Sequence, residues 1–455
     1  MEIVNRFEKQ RTLTFAQLRD EIFGQHWHDE TWHEVLRLTC GAIDPKFAGE
    51  LIKFLMKKEI DRNKFEESPF HEQTIVLNKE SLGHLFLAFD CLLEVKQTLL
   101  EVKLNLLRVF KNAVENSFHQ ASVDLNVYIF DDYTSKKITK IITELGGKEN
   151  ALPWLMEQVE KHNHSYFSSR TTFPKNGKSP TDRTVLRAFA VSALKRIADV
   201  WKQEETLFWL QHLSQQSKES IIRGAALQEL AKGWRNHPET LSIIRNCLQK
   251  DEDEMVRRIA LEELASYWEE YPETLSLIKE HARTDIGYAR ASAIVSLADK
   301  WKDDPESFLI IKLCTKCNQQ QSDFYARAIA IQCLAQTWRE HPETLNILIE
   351  RSQNDRHEFV RNCAIDELLY FLKNLPELFD IFNTIVAQDT FKRRAGWGKN
   401  PRQAALKALL TCYPTHPKTI ELLRDKATND PDEQLREWAQ EQLKMQNGKL
   451  KEEEA

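Results

Sequence analysis

The chain has 455 residues, 42% hydrophobic and 29% charged, with a formal charge of −6. That apolar share supports a sizeable core and excludes a disordered chain, while the slightly acidic balance excludes a global positive field that would draw the whole molecule to nucleic acid or an anionic membrane. No run approaches the roughly 18 to 20 apolar residues of a membrane span, no apolar signal-peptide core stands at the start, and the eight scattered cysteines read as reduced thiols. A cytoplasmic protein is the expectation.

In chain order, residues 1–164 read as an irregular helical region, with predicted helices near 14–22, 30–40, 45–58, 80–115, 136–145 and 150–162. Residues 165–183, SYFSSRTTFPKNGKSPTDR, cluster Ser, Thr, Pro and Gly without apolar periodicity and predict a linker or long loop. Residues 184–445 are repetitive, and 446–455 form a charged tail expected to fray.

The repeats align on two marks. Arg223, Arg257, Arg290 and Arg327 each precede a Trp by eleven positions, at Trp234, Trp268, Trp301 and Trp338. Arg361 and Arg402 keep the frame with Leu372 and Tyr413, and Trp201 closes an earlier unit. Four residues after these closing positions stand Pro238, Pro272, Pro305, Pro342, Pro376 and Pro417, in contexts such as HPETL and DPESF. Proline fits the first turn of a helix, where its missing N–H has no helical partner anyway, so one helix ends near the Trp and the next starts at the Pro. Each unit is therefore a helical hairpin. Within RRIALEELASYW, Ile259, Ala260, Leu261, Leu264, Ala265 and Trp268 make a broad apolar stripe. A hairpin this short cannot bury its own stripe and must stack on its neighbours. The fold class read from this pattern is all-α, a right-handed α-α superhelix preceded by an irregular helical region, with the Trp residues in its core.

A helix that begins with Arg after an acidic turn, at this period, resembles HEAT repeats. Asp251, Asp355 and Asp430 lie six positions before Arg257, Arg361 and Arg436, which looks like the Asp/Arg ladder by which such repeats bind their neighbours. Arg290 has Asp285 at five, Arg223 has only Ser217 at six, and Arg402 has no acid there, so the resemblance implies breaks at the last two. The stretch from Asn5 to Met56, followed by LFLAFDCLLEV at 85–95, is similar to the region after the nucleotide-binding module of cyanobacterial NACHT-type NTPases. That resemblance implies the sensor part of such an NTPase, as a separate product, a split partner or a remnant. No GxxxxGK(S/T) loop is present: Gly146-Gly147-Lys148 has Ile141 or Ile142 where the first Gly belongs, so no nucleotide binding is expected.

No catalytic constellation stands out, and neither an enzyme nor a cofactor is expected. His26, His28 and His33 beside Trp27 and Trp32 lack a partner at metal-ligand spacing. Cys314 and Cys317 form a lone CxxC in a predicted helix and read as packing residues. His-Glu pairs at 33/34, 71/72 and 357/358 are similar in type to those of the iron-binding HEAT protein deoxyhypusine hydroxylase but occupy unrelated repeat positions.

One insertion stands out. In DTFKRRAGWGKNPRQ, Lys392, Arg393, Arg394, Lys399 and Arg402 are unopposed by acid after Asp389, and Trp397 lies between two glycines. Clustered cations with an aromatic fit a nucleic acid or other anionic ligand, against the plainer reading of a solvated loop folded back on the array. The favoured function is a recognition solenoid with a protein partner, a NACHT NTPase among the candidates, and no membrane. The alternatives are a general assembly scaffold and a phycobilin lyase-like HEAT protein.

Overall fold

The computed structural model describes residues 2–58, 74–77, 82–97, 99–123, 127–130, 132–164, 182–317, 323–371, 377–393 and 398–453. Most of these residues are helical, and they form two compact units, Met1–Thr240 and Leu241–Ala455. Residues 165–181 of the expected linker, together with Leu372, Pro376, Arg394, Trp397 and the His71-Glu72 pair, lie outside the described residues.

The first unit opens with a helical turn over 2–9 and a second helical run over 15–26, widened to a π-helix at Leu18–Phe23, which covers the helix expected near 14–22. Thr14 starts the second run with a capping box, its hydroxyl accepting from the Gln17 amide. The helices Glu30–Ala42 and Pro45–Met56 both pack on Gly83–Glu94, burying Leu36, Leu51, Ile52, Leu55, Phe86 and Phe89. The helix expected over 80–115 is in fact two, Gly83–Glu94 and Leu100–Val123, because the chain turns extended at Val95. A parallel pair of short strands, Thr74–Leu77 with Val127–Phe130, was not foreseen; both are runs of β-branched and aromatic residues, TIVL and VYIF, that suit a pleated strand. The helices near 136–145 and 150–162 are the two arms of Asp132–His164, broken at Gly147, whose φ of 60° is open to glycine at little cost. The arms pack on Asp182–Val200, and the hairpin Glu204–Gln216 with Ser220–Trp234 follows.

The second unit is a stack of hairpins. Its first helices, Glu254–Tyr267, Gly287–Lys300, Asp323–Thr337, Glu358–Phe371 and Pro401–Cys412, pack each on the next. Second helices such as Pro272–Thr284, Thr344–Asn354, Glu377–Gln388 and Pro417–Asn429 lie against the following first helix. Three residues after each ladder arginine stands a fully buried alanine, Ala260, Ala293, Ala330, Ala364 or Ala405, and seven after it a fully buried leucine, Leu264, Leu297, Leu334, Leu368 or Leu409. The alanines let neighbouring helices approach, and the leucines fill the space between them. Pro272, Pro305, Pro401 and Pro417 each start a helix.

The closing tryptophans are not uniformly core residues. Trp268 and Trp201 are buried, whereas Trp234, Trp301 and Trp338 are half-buried. Trp268 and Trp301 sit at the helix C-cap, their amides still bonded to Leu264 and Leu297, so each ring covers a hairpin end and its depth depends on what packs above it. The final helix, Glu433–Glu453, runs through most of the segment read as a frayed tail.

Candidate functional site

Four second helices of the second unit end in an aspartate, whereas Pro305–Cys314 ends at Thr315. Asp285, Asp355 and Asp430 cap Pro272–Thr284, Thr344–Asn354 and Pro417–Asn429 in extended conformation, and Asp389 follows Gln388. A carboxylate is disfavoured at the negative end of a helix dipole unless a cation compensates it. The cation comes from the first helix of the same hairpin. Arg257 donates from Nε and Nη2 to Asp285 at 3.0 and 2.7 Å, and Arg327 to Asp355 at 2.9 and 2.8 Å. Arg361 reaches Asp389 at 2.6 and 3.2 Å, and Arg402 reaches Asp430 at 2.8 and 2.7 Å. All four pairs are 28 residues apart. Arg290 makes the equivalent buried pair with Asp323 at 3.2 Å, 33 residues on.

The third guanidinium nitrogen faces backward. Nη1 of Arg257 donates to the Asp251 carbonyl at 2.8 Å, that of Arg361 to Asp355 at 2.7 Å, that of Arg402 to Asp389 at 2.8 Å and that of Arg436 to Asp430 at 2.7 Å. Thus Asp355, Asp389 and Asp430 each receive one arginine on the carboxylate and the next on the carbonyl. The ladder runs unbroken from Arg327 to Arg436.

This corrects the breaks expected at Arg223 and Arg402. The backward bond needs only a carbonyl, which Ser217 supplies to Arg223 at 2.8 Å. At Arg402 the acid is present but thirteen residues upstream, because the insertion separates Asp389 from its helix. Arg290 likewise turns away from Asp285, which belongs to Arg257. Burial would raise the Asp285 carboxyl, but His281, Arg257 and the Ile286 amide together hold it well below the usual carboxylate range.

A second, exposed row links the second helices. The Glu of each PET-like motif takes a cation from the preceding one: Arg245 with Glu273 at 3.6 Å, Arg283 with Glu306 at 2.7 Å, and Lys312 with Glu343. The Thr of the motif is buried. In two units its hydroxyl closes the hairpin onto the tryptophan carbonyl, Thr240 to Trp234 at 2.8 Å and Thr344 to Trp338 at 2.7 Å.

The basic insertion folds inward. Arg393 forms a bidentate pair with Asp432 at 2.8 and 2.7 Å and donates to the Gly398 carbonyl at 2.6 Å, and Asn400 adds a bond to Asp432 at 2.8 Å. Phe391 is buried under this loop, with Gly398 over its ring at a φ of 103° that a side chain would not tolerate. Arg393 holds the Asp432 carboxyl below its ordinary range. Two of the expected ligand-binding cations, Arg393 and Arg402, are therefore committed to internal carboxylates, and Arg402 is almost fully buried. Among the described residues of the loop, Lys392 and Lys399 face solvent. The carboxylates that capture these arginines lie 39 and 28 residues away, beyond the window in which the loop reads as unopposed.

The other candidates resolve into packing contacts. His26 stacks on Trp32 at 3.9 Å, and His33 Nε2 lies 2.9 Å from the Trp27 carbonyl. The Cys314 thiol donates to the Ala282 carbonyl at 3.2 Å, and burial pushes it up to about 12 and raises Cys317 as well, so both stay protonated at neutral pH. Among the described residues, no three of His, Cys, Asp and Glu gather as a metal site, and no helix is long and apolar enough to cross a membrane.

Residues 206–298, less than half of the chain, match the family model described as HEAT repeats. No curated protein matches the chain. The Arg–Asp ladder and the buried Ala and Leu positions that begin within the matched residues continue past residue 298, through the insertion to Arg436.

Proposed function

We propose that this protein is a non-enzymatic recognition scaffold that binds a protein partner, and that it serves as the partner-sensing arm of a NACHT-like NTPase system whose nucleotide-binding module is not in this sequence. The observation that carries the scaffold reading is the ladder. Its buried arginines close their own hairpins by bidentate pairs, and Arg361 and Arg402 also hold the end of the hairpin before them by a backbone carbonyl, which spends the array's charged chemistry on rigidity and leaves its exposed faces to bind. The finer assignment draws its support from the resemblance of residues 5–56 and 85–95 and from the missing phosphate loop.

The test is capture of proteins from an extract of the source organism on the immobilised full chain, with cross-linking and mass spectrometry, beside direct binding to any Walker-motif NACHT module encoded next to it. Retention of one protein at near-stoichiometric level supports the scaffold, and retention of the NACHT module supports the sensor role. ATP turnover by the purified chain would overturn both.

A further inference from the structure

Two residues before Arg257, Arg290, Arg327 and Arg361 stands a large apolar or aromatic side chain, Met255, Tyr288, Tyr325 and Phe359, whereas Asn400 and Gln434 hold that place before Arg402 and Arg436. Met255 is 40% exposed, Tyr288 46% and Phe359 47%, and Tyr325 is half-buried. The Tyr288 and Tyr325 rings lie 4.8 Å apart, and Phe324, beside Tyr325, meets Phe359 at 5.7 Å and stacks on His357 at 4.1 Å. Single exposed apolar residues are ordinary, but residues held in one register across successive repeats form a strip that core packing does not require.

The strip has two poles. Beside Met255 the turn 251–254 is entirely acidic, with Glu252 exposed. At the Phe359 end, Arg356, Lys392 and Lys399 are exposed, and the insertion is tied there by Asn362, which donates to the Glu358 and Lys399 carbonyls at 2.8 Å each. Glu358 also lies at this end, with His357 at 3.7 Å.

We propose that this strip docks an extended, proline- and leucine-bearing segment of a partner protein, with acidic residues at the end that meets Arg356, Lys392 and Lys399. A polyproline helix is extended and makes no internal hydrogen bonds, so its apolar face can lie along a row of exposed rings such as Tyr288 and Tyr325, 4.8 Å apart. Such a segment is already ordered and loses little entropy on docking. The charge poles set its direction. A nucleic acid would also stack on the rings, but its uniform phosphate charge opposes the acidic pole at 251–254. The proposal rests on the protein-binding reading above.

The experiment is fluorescence anisotropy with the full chain and a labelled peptide of three Pro-Pro-Leu triplets followed by four glutamates. Comparators are the same peptide with the glutamates leading and a single-stranded oligothymidylate. The expected results are tighter binding of the first peptide than of either comparator, and a loss of about tenfold or more in a Tyr288→Ala, Phe359→Ala double variant. Lys392→Glu with Lys399→Glu, both at solvent-facing positions, should reduce affinity and flatten its salt dependence. Unchanged affinity in either variant, absence of binding by the wild type, or tighter binding of oligothymidylate overturns the proposal. Undiminished capture of the cellular partner by the double variant also overturns it while leaving the protein-binding reading in place; loss of that reading requires that the wild type capture nothing.

Discussion

Two junctions of the second unit do the same work with very different lengths of chain. Between Asn354 and Glu358 the link is a tight turn, in which Asp355 accepts Arg327 on its carboxylate and Arg361 on its carbonyl. Between Gln388 and Pro401 it is a long insertion, yet Asp389 accepts Arg361 and Arg402 in the same manner. The difference teaches that the ladder is registered by helix ends and not by residue count. An insertion is harmless when it leaves the capping aspartate on one helix and the arginine on the next, because the bond that both junctions share is unchanged. The longer junction adds a brace that the shorter one lacks, Arg393 on Asp432.

If the junctions are equivalent, Asp355→Ala and Asp430→Ala should cost alike. Each strands a buried guanidinium, for which about 3 to 5 kcal/mol is the usual penalty, read by chemical denaturation. A loss at Asp430 far below that at Asp355 would break the equivalence. Trp268→Ala should cost about 3 kcal/mol, and the half-buried Trp301 less, since the penalty follows the area and cavity involved. Equal melting shifts for the two would show that depth at the hairpin end does not govern the ring's contribution.

The brace itself is smaller. Arg393→Ala removes a charge-assisted pair near the surface and should cost about 2 kcal/mol, with no counterpart at the short junction. Acid should sharpen the picture further. Because the folded Asp285 carboxyl lies below its unfolded value of about 3.9, its contribution is complete above that pH and is lost as pH falls through the folded value. The stability of Asp285→Asn should therefore fall less steeply below about pH 4 than that of the wild type. The smallest effect belongs to Lys392→Ala and Lys399→Ala, which should leave unfolding within about 0.5 kcal/mol of the wild type, setting the outward cations apart from the inward Arg393.

The hairpins were legible because their signals are local. Arg257 to Trp268 spans three helical turns, and the apolar stripe, the closing aromatic and the proline that follows lie within one reading window. The irregular first unit was harder. Its strand pair joins Thr74–Leu77 to Val127–Phe130 across two helices, a pairing that four-residue runs do not announce.

For the basic insertion the sequence determined composition and place: cations and glycines in the longest step between repeats. Only the tertiary structure decided their roles, because a guanidinium is neutralised by whichever carboxylate the fold brings within 3 Å, and those of Asp432 and Asp430 come from the following hairpin. The same holds for the exposed strip. Met255, Tyr288, Tyr325 and Phe359 share a register in the sequence, but whether a side chain two residues before the arginine meets core or solvent depends on the rotation of each helix against its neighbours, a property of packing that no single repeat contains.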